Sequence, residues 1–212
     1  MKLSVLMMMG VILAGSVGAD SGAPQAAEDV QPLLIGKRAP DTILHGADGE
    51  GVRLREVLAK QPTVLIFYRG GWCPYCTVQL SGVAQLAPEL RGMGYQVVGI
   101  SPDRPENLHA FDEEEAVTYT LLSDADMETS KAFGIAFRVD AETVETYRGY
   151  GIDLEAASGA DHHLLPVPSV FVLSTDGVIQ FHYVNPDYTV RLAPDVLRAA
   201  AQAALNHQPD DG

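Results

Sequence analysis

Thr63-Val64-Leu65-Ile66-Phe67-Tyr68-Arg69-Gly70-Gly71-Trp72-Cys73-Pro74-Tyr75-Cys76 runs from a continuous apolar segment through a glycine turn to two cysteines. The first six residues are β-branched, aliphatic or aromatic without alternation, the pattern of a strand covered on both faces of a parallel sheet. Gly70-Gly71 lets the backbone turn. Pro74 suits the first turn of a helix, where its missing N–H costs nothing. Strand, turn and helix in this order place Cys73 at a helix N-terminus. There, unpaired N–H groups and the positive end of the helix dipole favour thiolate over thiol. Cys76 is then within reach to complete a disulfide. A loop so short removes little unfolded-chain entropy, so a bond here serves chemistry better than stability. Cys73 and Cys76 are the candidate catalytic residues.

Outward from this core the chain keeps alternating between strand and helix. A helix is predicted to about Met93, with Val78, Val83, Leu86 and Leu90 on its apolar side and a kink at Pro88. Gln96 to Ser101 reads as the next buried strand, completing a βαβ unit. Upstream, Ile43 to Leu54 reads as a hairpin around Ala47-Asp48-Gly49-Glu50-Gly51, followed by a short helix, Arg55 to Gln61. Downstream come a helix (Pro105 to Glu115), a strand (Thr118 to Leu122) and a helix (Met127 to Phe133) stopped by Gly134. Val139 to Leu164 lacks clear periodicity and reads as a surface excursion. Val170 to Leu173 and Val178 to Val184 flank Ser174-Thr175-Asp176-Gly177, a hairpin signal, and an Ala-rich helix, Ala193 to Leu205, closes the domain. The fold class is therefore α/β: a mixed central sheet with helices on both faces, one domain over residues 34–206, and a tail at 207–212.

Composition narrows the function. The chain has 212 residues, with 14 Lys+Arg against 28 Asp+Glu and a net charge of −14. Such an acidic surface speaks against a nucleic-acid partner. Two cysteines exclude a disulfide-scaffold miniprotein and a four-cysteine zinc site. Lys2, the apolar run Leu3 to Ala14 and the small residues Val17-Gly18-Ala19 read as a signal peptide over residues 1–19. The alternative is a membrane anchor through residues 3–19. Residues 20–33, rich in small residues, are expected to form a flexible lead-in. An exported protein, periplasmic or extracellular, sits where disulfides persist, so its thiols need an external reductant to cycle.

Other residues near the thiols are weighed in turn. Arg69 is close enough in sequence to stabilise a thiolate, and Trp72 to shield the site. Pro168 precedes the strand starting at Val170, a place where a cis X–Pro bond shapes a groove; the thiol motif makes cis the expectation. His162 and His163, five residues before Pro168, raise a different chemistry, since two sulfurs and an imidazole suit copper(I) or zinc. Adjacent histidines in a polar loop lack regular ligand spacing, so no metal and no other cofactor is expected. Asp112 to Glu115 reads as a solvated helix face.

From Ile35-Gly36-Lys37-Arg38-Ala39-Pro40 through Asn185-Pro186-Asp187-Tyr188 the chain resembles the peroxiredoxin-like (AhpC/TSA) branch of the thioredoxin-fold superfamily. The most specific piece is Val64 to Cys76. The resemblance implies a thioredoxin-like fold and a thiol-dependent antioxidant oxidoreductase. Its substrate would be a hydroperoxide and its recharging agent a thioredoxin-like or other thiol reductant. Setting Phe67-Tyr68 against the family pattern puts Cys76 on the peroxide-attacking cysteine, Cys73 on a threonine and Arg69 on a proline. Peroxiredoxins carry an arginine just before the strand begun here by Val170; this chain has Pro168-Ser169, as thioredoxins do. That departure bears on peroxidase efficiency and leaves dithiol–disulfide exchange untouched, so exchange with protein disulfides is the alternative activity. Cys-Pro-Tyr-Cys is also the glutaredoxin motif, but 168 − 73 = 95 residues separate Cys73 from Pro168, too many for that compact fold. Helix-end electrostatics favour attack by Cys73, the family correspondence favours Cys76, and both routes end in one Cys73–Cys76 disulfide.

Overall fold

The apolar segment that opens the thiol motif forms strand β3 (Thr63–Phe67), with every residue buried. Its side chains alternate between two cores. Val64, Ile66 and Tyr68 enter one cluster with Cys73, Cys76 and Leu80, while Leu65 and Phe67 enter a second with Ile100, Phe133 and Phe171. A strand sharing its side chains between two cores must lie in a sheet covered on both faces. Each buried aliphatic side chain contributes about 1.5–3 kcal/mol, so β3 anchors whatever follows it.

The computed structural model describes residues 22–108 and 119–206. The expected leader (1–19), the tail (207–212) and most of the predicted helix Pro105 to Glu115, with its acidic run, lie outside the described residues. β3 pairs in parallel with β4 (Gln96–Ser101), which pairs in parallel with β5 (Thr120–Ser123). On its other side β3 pairs antiparallel with β8 (Ser169–Leu173), itself hairpinned to β9 (Ile179–Val184). The predicted hairpin is β1 (Ile43–His45) with β2 (Gly51–Arg53), and it joins the sheet through β5. The seven strands run in the order β2-β1-β5-β4-β3-β8-β9. Helices α2 (Pro74–Gly92) and α6 (Pro194–Leu205) pack on one face. α1 (Leu54–Leu58) and α3 (Glu128–Ala132) lie toward the other.

The details correct several expectations. Val78, assigned to the apolar side of α2, is 74% exposed. The buried side is Cys76, Leu80, Val83, Leu86, Ala87 and Leu90, three and four residues apart, and Val78 falls outside that spacing. Val139 to Leu164 is not an irregular excursion. It contains α4 (Ala141–Gly149), capped by Asp140 accepting from the Thr143 N–H, and α5 (Leu154–Ser158), capped by Asp153 accepting from the Ala156 N–H. The segment ends in β7 (Leu164–Pro166), which pairs with β6 (Ala136–Arg138) in a separate two-stranded sheet.

Residues 22–33, expected to be a loose lead-in, are held against the domain. The Arg138 N–H donates to the Pro24 carbonyl at 2.7 Å and the Leu33 N–H to the Phe133 carbonyl at 3.1 Å. Gly134, at a φ of +71°, lies against the Gln31 carbonyl, a closeness that no side chain could share.

Candidate active site

β3 ends at Phe67, and the backbone then turns through Arg69, Gly70 and Gly71 into α2. Gly70 takes a φ of +144°, and a Cβ there would lie 2.8 Å from Trp72 Cδ1, so the turn requires glycine for both backbone and space. Cys73 is the N-cap of α2, with extended backbone, and Pro74 is its first helical residue. Cys76 lies one turn in. Both sulfurs belong to the buried core, at 1% and 0% exposure, and both are free thiols.

Two positive elements converge on the pair. The Arg69 backbone N–H donates to Cys76 Sγ at 3.4 Å. The guanidinium of Arg191, carried by the loop between β9 and α6, lies 3.5 Å from Cys76 Sγ and 4.0 Å from Cys73 Sγ. Arg191 is fixed in turn by the Tyr188 carbonyl and by the Gln79 side-chain oxygen, each at 2.7 Å. Of the two thiols Cys73 ionises the more readily, its pKa brought down to about 6 by the hydrogen bond from the Cys76 thiol. The Cys76 amide, Arg69 and Arg191 assist, against the opposing cost of burial. Burial first, then the hydrogen bond the Cys76 thiol gives to Cys73 and the Cys73 charge, push the Cys76 thiol well above its ordinary value.

Arg69 is itself buried and lies over three aromatic rings, with its guanidinium carbon 4.1 Å from the Tyr188 centroid, 5.3 Å from Trp72 and 5.4 Å from Tyr147. It donates to the Tyr147 hydroxyl. This cage holds the cation with little hydration, close enough to the sulfurs to favour the thiolate. Trp72 packs between the main core and the small cluster of Val139, Val144, Leu154 and Leu165, so it joins the α4–α5 segment to the thiol turn.

Pro168 is buried beside this group, since Ser169 pairs with Phe67 at the end of β3. With Arg69, Tyr147 and Tyr188 it lines a cavity of about 260 Å³. The expected cis bond is absent: every described peptide bond is trans. The antiparallel pairing of β8 with β3 already brings Pro168 to the site, and no cis turn is needed.

His162 and His163 do not join the sulfurs. His162 accepts the Leu164 N–H on Nδ1 and uses Nε2 on the Ala125 carbonyl, while His163 pairs with Glu155 at 2.8 Å. Among the described residues no group of three or more histidine, cysteine or acidic side chains is placed to hold a metal.

Sequence reasoning missed Arg191, Gln79, Tyr147 and Tyr188. Asn185 to Tyr188 lies inside the resembling region, but no local pattern marks a cation that arrives 115 residues after Cys76.

The chain as a whole resembles known proteins. The profile of the AhpC/TSA family fits residues 35–182. Peroxiredoxin Bcp of Escherichia coli is 40% identical over 106 residues, half of this chain and 67% of that protein. A putative peroxiredoxin bcp of Helicobacter pylori is 28% identical over 156 residues, 74% of this chain and 91% of the relative. Among solved structures, peroxidoxin BcpB from Mycobacterium tuberculosis superposes with a TM-score of 0.63 at 23% identity, covering 84% of this chain and 99% of that one. Reduced Prx3 from Vibrio vulnificus, in complex with hydrogen peroxide, gives 0.66 at 18% identity, covering 80% and 99%. These superpositions establish the thioredoxin-like peroxiredoxin fold.

Proposed function

Because the chain belongs to the AhpC/TSA family, we propose that it is a thiol-dependent peroxidase that reduces hydroperoxides with Cys73 and Cys76. The observation that carries this reading is the Arg191 guanidinium within 4.0 Å of both sulfurs, a fixed positive charge for an anion on either. It supplies a cation where the family's arginine, expected just before Val170, is replaced by Pro168-Ser169.

The Cys73 thiolate attacks the terminal oxygen of the hydroperoxide. The O–O bond breaks, Cys73 becomes a sulfenic acid, and the departing alkoxide or hydroxide takes a proton from water. Cys76 then attacks the Cys73 sulfur. The S–S bond forms, the S–O bond breaks, and the Cys76 proton leaves with the hydroxide as water. An external dithiol of the thioredoxin kind reduces the disulfide through a mixed disulfide and is itself oxidised.

A second reading, attack by Cys76, is favoured by a specific observation: the Arg69 N–H and Arg191 both approach Cys76 Sγ more closely than Arg191 approaches Cys73. Moving one proton from Cys76 to Cys73 suffices to exchange the roles. Dione trapping of sulfenic acid separates the two. Label on Cys73 in Cys76→Ser supports the first reading, and label on Cys76 in Cys73→Ser with none in the reciprocal variant supports the second. If neither variant is labelled and both keep full turnover, the thiol pair is not the peroxidase site. We also propose export directed by residues 1–19; a mature N-terminus at residue 20, read by intact mass after expression of the full chain, tests it.

A further inference from the structure

Asp103 lies two residues beyond the end of β4, and the parallel pairing of β4 with β3 brings it beside the thiol turn. Its side chain is 3% exposed. Oδ2 accepts the Gly71 N–H at 2.8 Å and the Ser101 hydroxyl at 2.9 Å. Gly71 is two residues before Cys73, whose own N–H donates to the Gly70 carbonyl at 3.2 Å. The carboxyl group thus holds the segment that presents the sulfur. With Gly71 and Trp72 it also lines an open cavity of about 500 Å³, closed on one side by Asp153, Ala156 and Ala157 of the α5 region.

No step of the thiol cycle above uses Asp103, and a buried carboxylate with no cation bonded to it among the described residues is costly. The titratable and charged groups around it are the Tyr68 phenol from the end of β3, Cys73 from the turn, and Arg104 and Asp153 on the cavity wall. Burial lifts its pKa to about 6, the bonds from Gly71 and Ser101 work in the opposite direction, and the Cys73 charge adds to the rise. Cys73 ionises in the same range.

We propose that Asp103 is the positioning residue of the thiol turn, holding the Gly71 amide while its negative charge competes with the Cys73 thiolate. The inference rests on the reading of Cys73 as the ionising sulfur. Once the sulfurs are joined as a disulfide the competing charge disappears and Asp103 ionises more readily, so a proton held by the reduced protein is released on oxidation. Asp103 therefore acts through the backbone and the field of the turn, without touching substrate.

The test is an ultraviolet thiolate titration of the reduced protein, wild type against Asp103→Asn, with hydroperoxide kinetics on Asp103→Asn and Asp103→Ala. Asparagine keeps an acceptor oxygen for Gly71 and removes the charge. The expected result is a thiolate midpoint lowered by about 1 in Asp103→Asn. Asp103→Ala should lose about tenfold in kcat/KM, with most of that loss restored by asparagine. An unmoved midpoint in Asp103→Asn, or an Asp103→Ala variant as active as wild type, overturns the proposal. If Asp103→Ala does not fold, the Asp103→Asn titration decides alone. Because that titration needs no peroxide turnover, a shifted midpoint in a protein that reduces no hydroperoxide upholds the Asp103 coupling while refuting the peroxidase reading.

Discussion

Arg191 places a guanidinium nitrogen 3.5 Å from Cys76 Sγ although 115 residues separate them in the chain. The contact exists because the antiparallel hairpin of β8 and β9 returns the backbone beside β3, and Gln79 and the Tyr188 carbonyl then fix the side chain. Arg191→Ala is expected to raise the pH at which Cys73 ionises and to cut kcat/KM by about 10- to 100-fold. Lysine should recover only part of this, since it keeps the charge and loses the planar fork that holds Gln79 and the sulfurs together. Alkylation rate against pH and peroxidase kinetics check both variants.

The turn at Gly70 gives a second prediction. Gly70→Ala forces a side chain into a φ of +144° and against Trp72. Unfolding free energy should fall by about 2 kcal/mol or more. Trp72 is the only tryptophan in the chain, so its native-state fluorescence reports the displacement directly. An unchanged emission spectrum with unchanged urea midpoint would refute this account of the turn.

These two residues also mark how far the sequence could be read. β3, the glycine turn and the opening of α2 were legible because burial on both faces, a required glycine and a helix-starting proline are local signals. Arg191, Tyr147 and Tyr188 were not, because their role comes from strand pairing and from the packing of α4, which no short pattern encodes. α4 itself escaped because it buries only Val144, leaving almost no apolar stripe, although its cap, Asp140, was visible. Small residues in 22–33 suggested looseness, whereas backbone bonds to Phe133 and Arg138 hold that segment.

Stability should depend on pH through Asp124. This buried carboxylate accepts the Thr129 and Ser130 N–H groups and the Ser130 hydroxyl, yet burial still raises its pKa to about 6. A carboxyl raised in the folded state favours folding when protonated. Its contribution is complete below the unfolded value of about 4 and is lost as pH rises through about 6. Asp103 acts in the same direction. His162 and His182, both lowered mainly by burial, act oppositely, losing their contribution as pH falls below the ordinary histidine range. Urea unfolding between those limits should show a smaller dependence on pH in Asp124→Asn than in wild type. An equal slope in the two proteins would refute the assignment.

Tyr147 provides a finer probe of the arginine cage. Tyr147→Phe removes the hydroxyl that Arg69 bonds and leaves the ring beneath the cation. Stability should fall by about 1 kcal/mol, and Tyr147→Ala, which also removes the cation–π contact and the packing on Trp72, should cost more. Equal losses in the two variants would mean that the ring contributes nothing.

The central claim is a single redox couple formed by Cys73 and Cys76. Reduced protein treated with one equivalent of hydrogen peroxide, quenched with an alkylating reagent and digested, should yield a peptide carrying an intramolecular Cys73–Cys76 disulfide, two hydrogens lighter than the dithiol. A dithiol reductant should return it to the starting mass. Peroxide consumed at a catalytic rate while both sulfurs remain alkylatable would contradict the account.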